Sequence, residues 1–295
     1  MMKAITLAVV IPVGPACEFE YISDTIESVR HYVATPHVVI VLDDSGKGTG
    51  RAIHERFRET VVLTTPRNYG KEAGLYLNLS QGFAFAYENY AFEILLRLDT
   101  DALIIGPNPE QEALEYFRRN PGVGIIGSYR IDCNGDPRDF SWPRNQLMRE
   151  LGFRSLWSAP LRRLRGWLLL RTVFGRAKRH GYEAGEHCMG GAYFISRECI
   201  ARLYGNKLLA RRDIAWSRLQ EDQIFGLLMY SVGLRHGDFA TGALPMGLRW
   251  RGLPCPPEAL LAKNKKITHS TRYFGNLSEK EIRDYFRARR RTDNA

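Results

Sequence analysis

Short apolar runs alternate with longer segments of mixed polarity over residues 1–128 of the chain. The apolar runs are Leu7–Val13, Val38–Leu42, Val61–Thr64, Ile94–Leu98 and Val123–Gly127. The segments between them with helical character are Tyr21–Tyr32, Gly50–Phe57, Lys71–Tyr87 and Pro109–Arg119. Continuously apolar strands that alternate with helices are typical of parallel sheets, which are buried on both faces. The pattern therefore predicts an α/β fold with a mostly parallel, doubly wound sheet and helices on both of its faces.

The remainder of the chain is less regular, and the alternation is weakest between Ser128 and Glu186. The elements predicted beyond this stretch are a strand at Gly190–Ile195, a helix ending at Leu203, a helix at Gln223–Ser231, loops from Arg249 onward and a basic helix at Ser278–Arg291. The changes in pattern suggest a division of the chain into residues 1–128, 129–248 and 249–295.

Polar residues follow three of the predicted strands. Asp43 and Asp44 come after the second strand, Lys71 lies after the third, and Asp99 and Asp101 follow the fourth. Ligands of open α/β sheets bind at the carboxyl ends of the strands. We therefore expect these side chains to line one crevice.

Asp99 and Asp101 are separated by a single residue at the end of a buried strand. Two carboxylates in this arrangement can share a hard divalent cation, which keeps open positions for diphosphate oxygens. The alternative is a solvated turn, since such a triplet often occurs by chance. The second acidic pair, at another strand end, favours the metal site.

Asp43, Asp44 and Lys71 each have two interpretations. The carboxylates can accept hydrogen bonds from a nucleobase and a ribose, or they can shape the turn and cap the next helix. Lys71 stands where a helix is predicted to begin, so its ammonium group and nearby backbone N–H groups can face an anion. The alternative for Lys71 is a solvated helix lysine, and these residues alone leave both choices open.

Glu221, Asp222 and His269 are further candidates. The two acidic residues lie at a predicted helix start, where they serve either as caps or as a general base that takes a proton from an attacking hydroxyl. His269 can supply a neutral imidazole to a metal ion. A lone histidine in a predicted loop is more often simply exposed, and without further context that interpretation is favoured.

The composition is that of a globular protein, with 44% hydrophobic and 25% charged residues. Its formal net charge of +10 favours an anionic partner: a nucleotide, a nucleic acid or an acidic membrane surface. No motif that contacts bases accompanies the basic residues, so we expect no nucleic-acid partner. No apolar stretch approaches the ~20 residues of a membrane-spanning helix.

The five cysteines are widely spaced and include no Cys-x-x-Cys pair, which favours a reducing compartment and a cytoplasmic location. The apolar run after Lys3 resembles the start of a signal peptide. Pro12 and Pro15 interrupt its end and no clean cleavage site follows, so a buried first strand explains the run better.

Residues 161–181 combine leucine and tryptophan with six arginines and one lysine. One interpretation is peripheral contact with the inner face of an anionic membrane, near a lipid-linked acceptor. A second is a flap over the active site, and a third is an ordinary helical hairpin whose arginines face water. Gly166 and Gly175 interrupt the helical spacing, and we favour the structural interpretation over membrane contact.

Six motifs occur in order along the chain: VVIPV, LDDSG, RNYGK, LRLDTDA, GGAYFISR and QEDQIFG. None is specific alone, but in this order they resemble the GT-A fold nucleotide-sugar glycosyltransferases of the family 2 type, over about residues 7–235. The resemblance implies a GT-A (Rossmann-like) sheet with a variable acceptor-side region. It makes 1–128 the nucleotide-sugar-binding half, 129–248 the acceptor and catalytic-base half, and 249–295 a C-terminal region of loops and a basic helix.

The resemblance also implies a role for each candidate residue. The residues implied to contact the nucleotide-sugar are Asp43, Asp44, Lys71, Asp99 and Glu221. The implied ligands of a divalent metal ion, Mn²⁺ or Mg²⁺, are Asp99, Asp101 and His269. The implied catalytic base is Asp222. The chain departs from the family pattern at Ser45-Gly46, where Gly-Ser is more common.

The implied reaction is metal-dependent sugar transfer, with a UDP-sugar expected as donor and a glycan, a lipid-linked molecule or a small molecule as acceptor. A cation stabilises the departing diphosphate, and the absence of a separate nucleophile candidate favours inversion. One alternative is a sugar-nucleotide nucleotidyltransferase, although the loop Gly14–Glu18 lacks the cation such enzymes usually carry there. Another is a non-catalytic peripheral membrane protein held by residues 161–181.

Overall fold

The computed structural model describes residues 2–66, 68–156 and 160–292, and Arg67 of the RNYGK motif lies outside the described residues. The strands are β1 (Lys3–Ala4), β2 (Leu7–Val13), β3 (His37–Asp43), β4 (Val61–Thr64), β5 (Tyr90–Ala91), β6 (Ile94–Leu98), β7 (Ala102–Ile104), β8 (Val123–Gly127), β9 (Ala192–Ser196), β10 (Arg235–Asp238), β11 (Met246–Leu248), β12 (Ile267–His269), β13 (Tyr273–Phe274) and β14 (Leu277–Ser278). The helices are α1 (Phe19–Tyr32), α2 (Thr49–Arg56), α3 (Ala73–Asn89), α4 (Pro109–Arg119), α5 (Ser141–Leu151), α6 (Pro160–Arg179), α7 (Arg197–Gly205), α8 (Glu221–Ser231), α9 (Pro257–Ala262) and α10 (Glu279–Thr292). Short 3-10 turns cover Phe153–Leu156 and Arg212–Ile214.

The main sheet, as far as the structure describes the chain, has seven strands in the order β10-β8-β9-β6-β2-β3-β4. Neighbouring strands are parallel except at β9, which runs antiparallel to both β6 and β8. The predicted α/β class with a mostly parallel sheet is confirmed. Because β6, β2 and β3 are adjacent and parallel, their carboxyl ends lie at one edge of the sheet.

Alternate residues of the central strands enter two separate cores. Leu7, Val9 and Ile11 of β2 pack with α1 and α2, whereas Ala8 and Val10 pack with α3 on the other face. This period of two is the consequence of strand geometry. Since each fully buried aliphatic side chain of this size contributes roughly 1.5–3 kcal/mol, both faces must be covered by helices.

The structure differs from the prediction after Arg249, where loops are expected. Strand β12 forms there and pairs antiparallel with β7, placing His269 opposite Ala102, and parallel with β11. Helix α9 precedes it. The three residues of β12 are too few to give a strand pattern, and their conformation comes from pairing with two other short strands.

Residues 161–179 belong to α6, which is continuous through Gly166 and Gly175. A Cβ atom at Gly166 would lie 1.9 Å from the Asp213 carbonyl oxygen, so this glycine permits a close contact and does not interrupt the helix. Leu170 and Val173 are buried in the core beside α8. The described part of the segment is therefore a helix packed on the body of the fold. None of the helices in the described ranges combines the length and apolarity needed to cross a bilayer.

Candidate active site

Two carboxylates and an imidazole converge at the carboxyl end of β6. Asp99 and Asp101 lie in the turn between β6 and β7, and the Asp99 N–H donates to the Gly191 carbonyl at 2.8 Å. His269 reaches the same turn because β12 pairs with β7. One ligand atom from each of the three residues lies within 4.8 Å of the others. The structure thus brings together the three residues that the sequence analysis assigns as metal ligands.

The ring of His269 is oriented toward the carboxylates. Its Nδ1 lies 2.9 Å from the Arg249 carbonyl oxygen, which can only accept, so Nδ1 is the donor. Its Nε2 lies 3.3 Å from Oδ1 of Asp101 and 3.9 Å from Oδ2 of Asp99. Two carboxylates and one imidazole suit Mn²⁺ or Mg²⁺. Metal-binding histidines usually donate their other ring N–H to a polar group that fixes the ring, as His269 does here to the Arg249 carbonyl.

The turn that carries the aspartates is held from behind by α10. Arg283 is buried, and its Nη2 donates to the Thr100 carbonyl at 2.6 Å. Oγ1 of Thr25 donates to the same carbonyl at 3.0 Å. A second nitrogen of Arg283 lies 3.0 Å from Oδ2 of buried Asp24. The sequence gives no sign of this role, since a basic helix near the end of the chain is expected to be solvated.

Arg97 links the two acidic parts of the site. Its Nη2 lies 2.9 Å from Oδ1 of Asp99 and 3.0 Å from Oε1 of Glu221, and its side chain is 2% exposed. Its guanidinium also lies 5.5 Å from the centre of the Tyr193 ring, across the β6–β9 pair. Sequence reasoning missed Arg97 as a site residue. The available signal was an arginine inside the apolar run Ile94–Leu98, since an arginine is rarely buried unless it is paired with an acidic group.

Burial and neighbouring charges shift the pKa values of Asp99 and Asp101 in opposite directions. Burial raises the pKa of Asp99 to about 6, with Arg97 acting in the opposite direction. Burial also raises the pKa of Asp101, but His269 and Arg272 outweigh it, so that pKa lies below its usual range. Burial lowers the pKa of His269, but Asp101 outweighs that effect and the net direction is upward. A proton on Nε2 therefore occupies the position where a divalent cation would bind, and the two compete.

Asp222 lies at the start of α8, and two backbone N–H groups orient its side chain. Its Oδ2 accepts from Gly190 at 2.7 Å, and its Oδ1 accepts from Gln223 at 2.8 Å. Burial raises its pKa. Nε2 of His187 lies 3.8 Å away, but burial and Arg138 lower the pKa of His187 to about 3, so the ring is neutral. Asp222 is therefore a partly exposed carboxylate whose imidazole neighbour carries no charge.

A glycine pair separates Asp222 from the metal-ligand cluster. A Cβ atom at Gly190 would lie 3.1 Å from Oδ2 of Asp222, and one at Gly191 would lie 2.4 Å from the His269 ring. Gly191 also has a φ of +95°, which side chains rarely adopt. The close packing on both sides explains why two glycines stand directly before β9.

Asp43 and Asp44 lie at the same edge of the sheet, at the end of β3, with β2 between them and β6. The Asp43 carboxylate accepts from the N–H of Gly50 at 2.8 Å at the start of α2. Asp44 accepts from Oγ1 of Thr65 at 2.6 Å and from the N–H of Tyr69 at 2.9 Å. Both carboxylates thus shape loops in this structure, and nucleotide contact by them stays a prediction.

Lys71 is exposed and precedes α3, which begins at Ala73 and not at Lys71 as the sequence predicts. Glu221 is the first residue of α8 and is buried. Burial raises the pKa of Glu221 to about 7, with Arg97 opposing the shift. The predicted donor contacts of Lys71 and Glu221 also stay predictions.

No protein-family model matches the sequence, and no curated protein matches it either. Several solved structures resemble its backbone. A mannosyltransferase, PcManGT from Pyrobaculum calidifontis in complex with GDP-Man and Mn²⁺, has a TM-score of 0.44 and 15% identity over 79% of this chain and 54% of that one. S. aureus TarS has a TM-score of 0.44 and 15% identity over 80% of this chain and 35% of that one.

A glycosyltransferase involved in the glycosylation of the major capsid of PBCV-1 has a TM-score of 0.47 and 11% identity, over 96% of this chain and 99% of that one. The present chain spans about half the length of the mannosyltransferase and about a third of TarS. At these scores the likeness concerns the course of the chain, and the chemistry must be judged from the site itself.

Proposed function

We propose that this chain is a metal-dependent glycosyltransferase that moves a sugar from a nucleotide-sugar, with a UDP-sugar as the first candidate, to an acceptor hydroxyl with inversion. The observation that carries the proposal is the juxtaposition of two groups at one sheet edge. Asp99, Asp101 and His269 hold their ligand atoms within 4.8 Å of one another. Asp222 packs against the other side of the Gly190-Gly191 pair.

On the donor side, Asp99, Asp101 and His269 would hold Mn²⁺ or Mg²⁺. When bound, such a cation supplies positive charge to the diphosphate leaving group. Asp43 and Asp44 stand at the end of β3, on the same edge of the sheet, where carboxylates can accept from a base and a ribose. Exposed Lys71 adds a positive charge after the next strand.

On the acceptor side, Asp222 takes the proton from the hydroxyl that attacks the anomeric carbon. The two N–H groups that it accepts fix its orientation. Burial raises its pKa, which makes it a better proton acceptor than an exposed aspartate. Neighbouring Glu221 is paired with Arg97 and buried, which leaves it poorly placed as a nucleophile and favours direct displacement over a covalent intermediate.

We propose a cytoplasmic location as well. Cys188 and Cys199 are buried free thiols, and burial raises the pKa of both, which keeps them protonated and unreactive. This use of cysteine as a small apolar residue suits a reducing compartment.

The first experiment is a calorimetric titration of UDP and of GDP into the purified protein, with and without Mn²⁺. Metal-dependent binding of one nucleotide supports the proposal and selects the sugar nucleotides for a transfer assay with carbohydrate acceptors. If neither nucleotide binds under any metal condition, the proposal fails. Release of pyrophosphate from a nucleoside triphosphate and a sugar 1-phosphate would instead favour the nucleotidyltransferase alternative.

A further inference from the structure

One segment of the chain is strongly basic. Residues 151–181 contain eight lysines and arginines and no aspartate or glutamate. Among the described side chains, those exposed on α6 include Arg165, Arg171, Arg176 and Arg179. Because no carboxylate interrupts the run, this concentration of charge is not neutralised within the segment.

An aromatic ring is fixed beside these cations. Phe153 is 67% exposed, yet its ring lies 5.0 Å from that of Trp167. The Arg171 guanidinium covers both rings, at 5.4 Å from Phe153 and 4.7 Å from Trp167. Nε1 of Trp167 donates to the Leu151 carbonyl at 3.1 Å, which ties the end of α5 to α6. Phe153 is therefore held at the surface and is not a loose side chain.

Two leucines extend the apolar surface along α6. Leu164 and Leu168 are one helical turn apart, so they share a face, and they are 43% and 50% exposed. The buried side chains of the described part of the helix include Trp167, Leu170, Val173 and Ala177. Leu164 and Leu168 lie outside this buried set, and with Phe153 they form an apolar strip among the arginines, here named the α6 strip.

We propose that the α6 strip docks on the surface of an anionic phospholipid bilayer. Phe153, Leu164 and Leu168 would enter the boundary between headgroups and acyl chains, while Arg165, Arg176 and Arg179 would pair with lipid phosphates. Charge complementarity alone would also suit a nucleic acid. The exposed leucines decide between the two, since phosphate-backbone binding gains from cations and makes no use of an aliphatic strip. This proposal does not depend on the glycosyltransferase activity.

The test is sedimentation of the full chain with vesicles of phosphatidylcholine alone and with added phosphatidylglycerol, at low and moderate salt. We expect binding that requires the anionic lipid and weakens with salt. The double variant Leu164→Gln, Leu168→Gln should bind at least about tenfold more weakly, because two leucines are lost from the membrane contact. Glutamine is a good helix former, so the helix should persist.

The matched controls are Leu277→Gln, an exposed leucine elsewhere, and Arg51→Gln, an exposed arginine on α2. Both should bind vesicles as the parent does, and circular dichroism should show all variants folded. Vesicle binding by the double variant that equals that of the parent would overturn the proposal. Affinity for duplex DNA that equals the affinity for anionic vesicles, and that the double variant retains, would also overturn it. So would the absence of binding to anionic vesicles at low salt. Nucleotide titration of the same variants keeps this result separate from that of the proposed enzyme activity.

Discussion

Arg97 and Glu221 form a buried ion pair that joins β6 to α8. Nη2 of Arg97 lies 3.0 Å from Oε1 of Glu221, and the two side chains are 2% and 5% exposed. Among the described residues, Oε1 of Glu221 accepts no directed hydrogen bond, so the contact is chiefly one between charges. Through this pair, the strand that leads into Asp99 is tied to the helix that carries Asp222.

Replacing Arg97 by methionine should destabilise the fold by about 3–5 kcal/mol, because it leaves buried carboxylates without their cation. Urea unfolding monitored by circular dichroism measures the change. The double variant Arg97→Met, Glu221→Gln should recover part of the loss, since one of the unpaired charges is then gone. Strictly additive losses in the double variant would contradict the pairing.

Asp101→Asn should weaken Mn²⁺ binding and remove the metal dependence of nucleotide binding. The substitution keeps the size of the side chain but removes the charge of one of the two carboxylate ligands. Calorimetric titration of Mn²⁺ alone, and of nucleotide with and without it, gives both quantities. Asp136→Asn, at an exposed position, is the control. An unchanged metal titration in the Asp101 variant would exclude this residue as a ligand.

Gly191→Ala should displace the His269 ring and lower the affinity for Mn²⁺. Its Cβ would lie 2.4 Å from that ring, at a φ of +95°. Gly135→Ala is a close control, since Gly135 has a φ of +93° and an added Cβ there would meet nothing within 4 Å among the described residues. The control should therefore lose only about 1–2 kcal/mol of folding stability from the strained backbone and keep the parent's affinity for Mn²⁺. Equal metal affinity in the two variants would mean that the contact with His269 does not matter.

Asp222→Asn should lower the transfer rate by roughly 10²–10⁴, the usual contribution of a general base. Donor affinity should stay nearly unchanged, because Asp222 is proposed to act on the acceptor side; the asparagine oxygen keeps the hydrogen bond from Gly190, and the one from Gln223 is lost. Steady-state kinetics and donor titration separate the two effects. Asp139→Asn, on the surface, serves as the control. A collapse of donor binding in the Asp222 variant would instead mark a donor contact or a structural role.

As the pH is lowered, the transfer rate should begin to fall while the pH is still above the ordinary pKa of an aspartate. Burial raises the pKa of Asp222 from 3.8, and a base works only when it is unprotonated, so kcat/KM decreases as the pH falls through the raised pKa. Glu221→Gln, which removes the neighbouring carboxyl whose pKa burial raises to about 7, should leave this fall in place because Asp222 is still present. A profile that stays flat down to pH 3.8, the ordinary pKa of the side chain, would contradict the assignment of Asp222.

Much of the fold follows from local patterning. The apolar runs of β2, β3, β4, β6 and β8 lie where the sequence pattern predicts strands. Helix boundaries follow the pattern less closely, as at α3, which begins at Ala73 and not at Lys71. Short β12 escaped prediction because it is held by pairing with β7 and β11, and a three-residue strand carries no period of its own.

The sequence by itself determined the α/β class and the strand ends that carry Asp43, Asp99 and Asp101, because burial on two faces leaves a continuous apolar run and strand ends are polar. It also identified His269 and Asp222 as candidates from their residue types, but not where their side chains lie in the fold. Only the tertiary structure decided that His269 lies in a strand beside Asp101 and that Arg97 lies between two acidic side chains. Those relationships depend on contacts between residues far apart in the chain, and no local period encodes them.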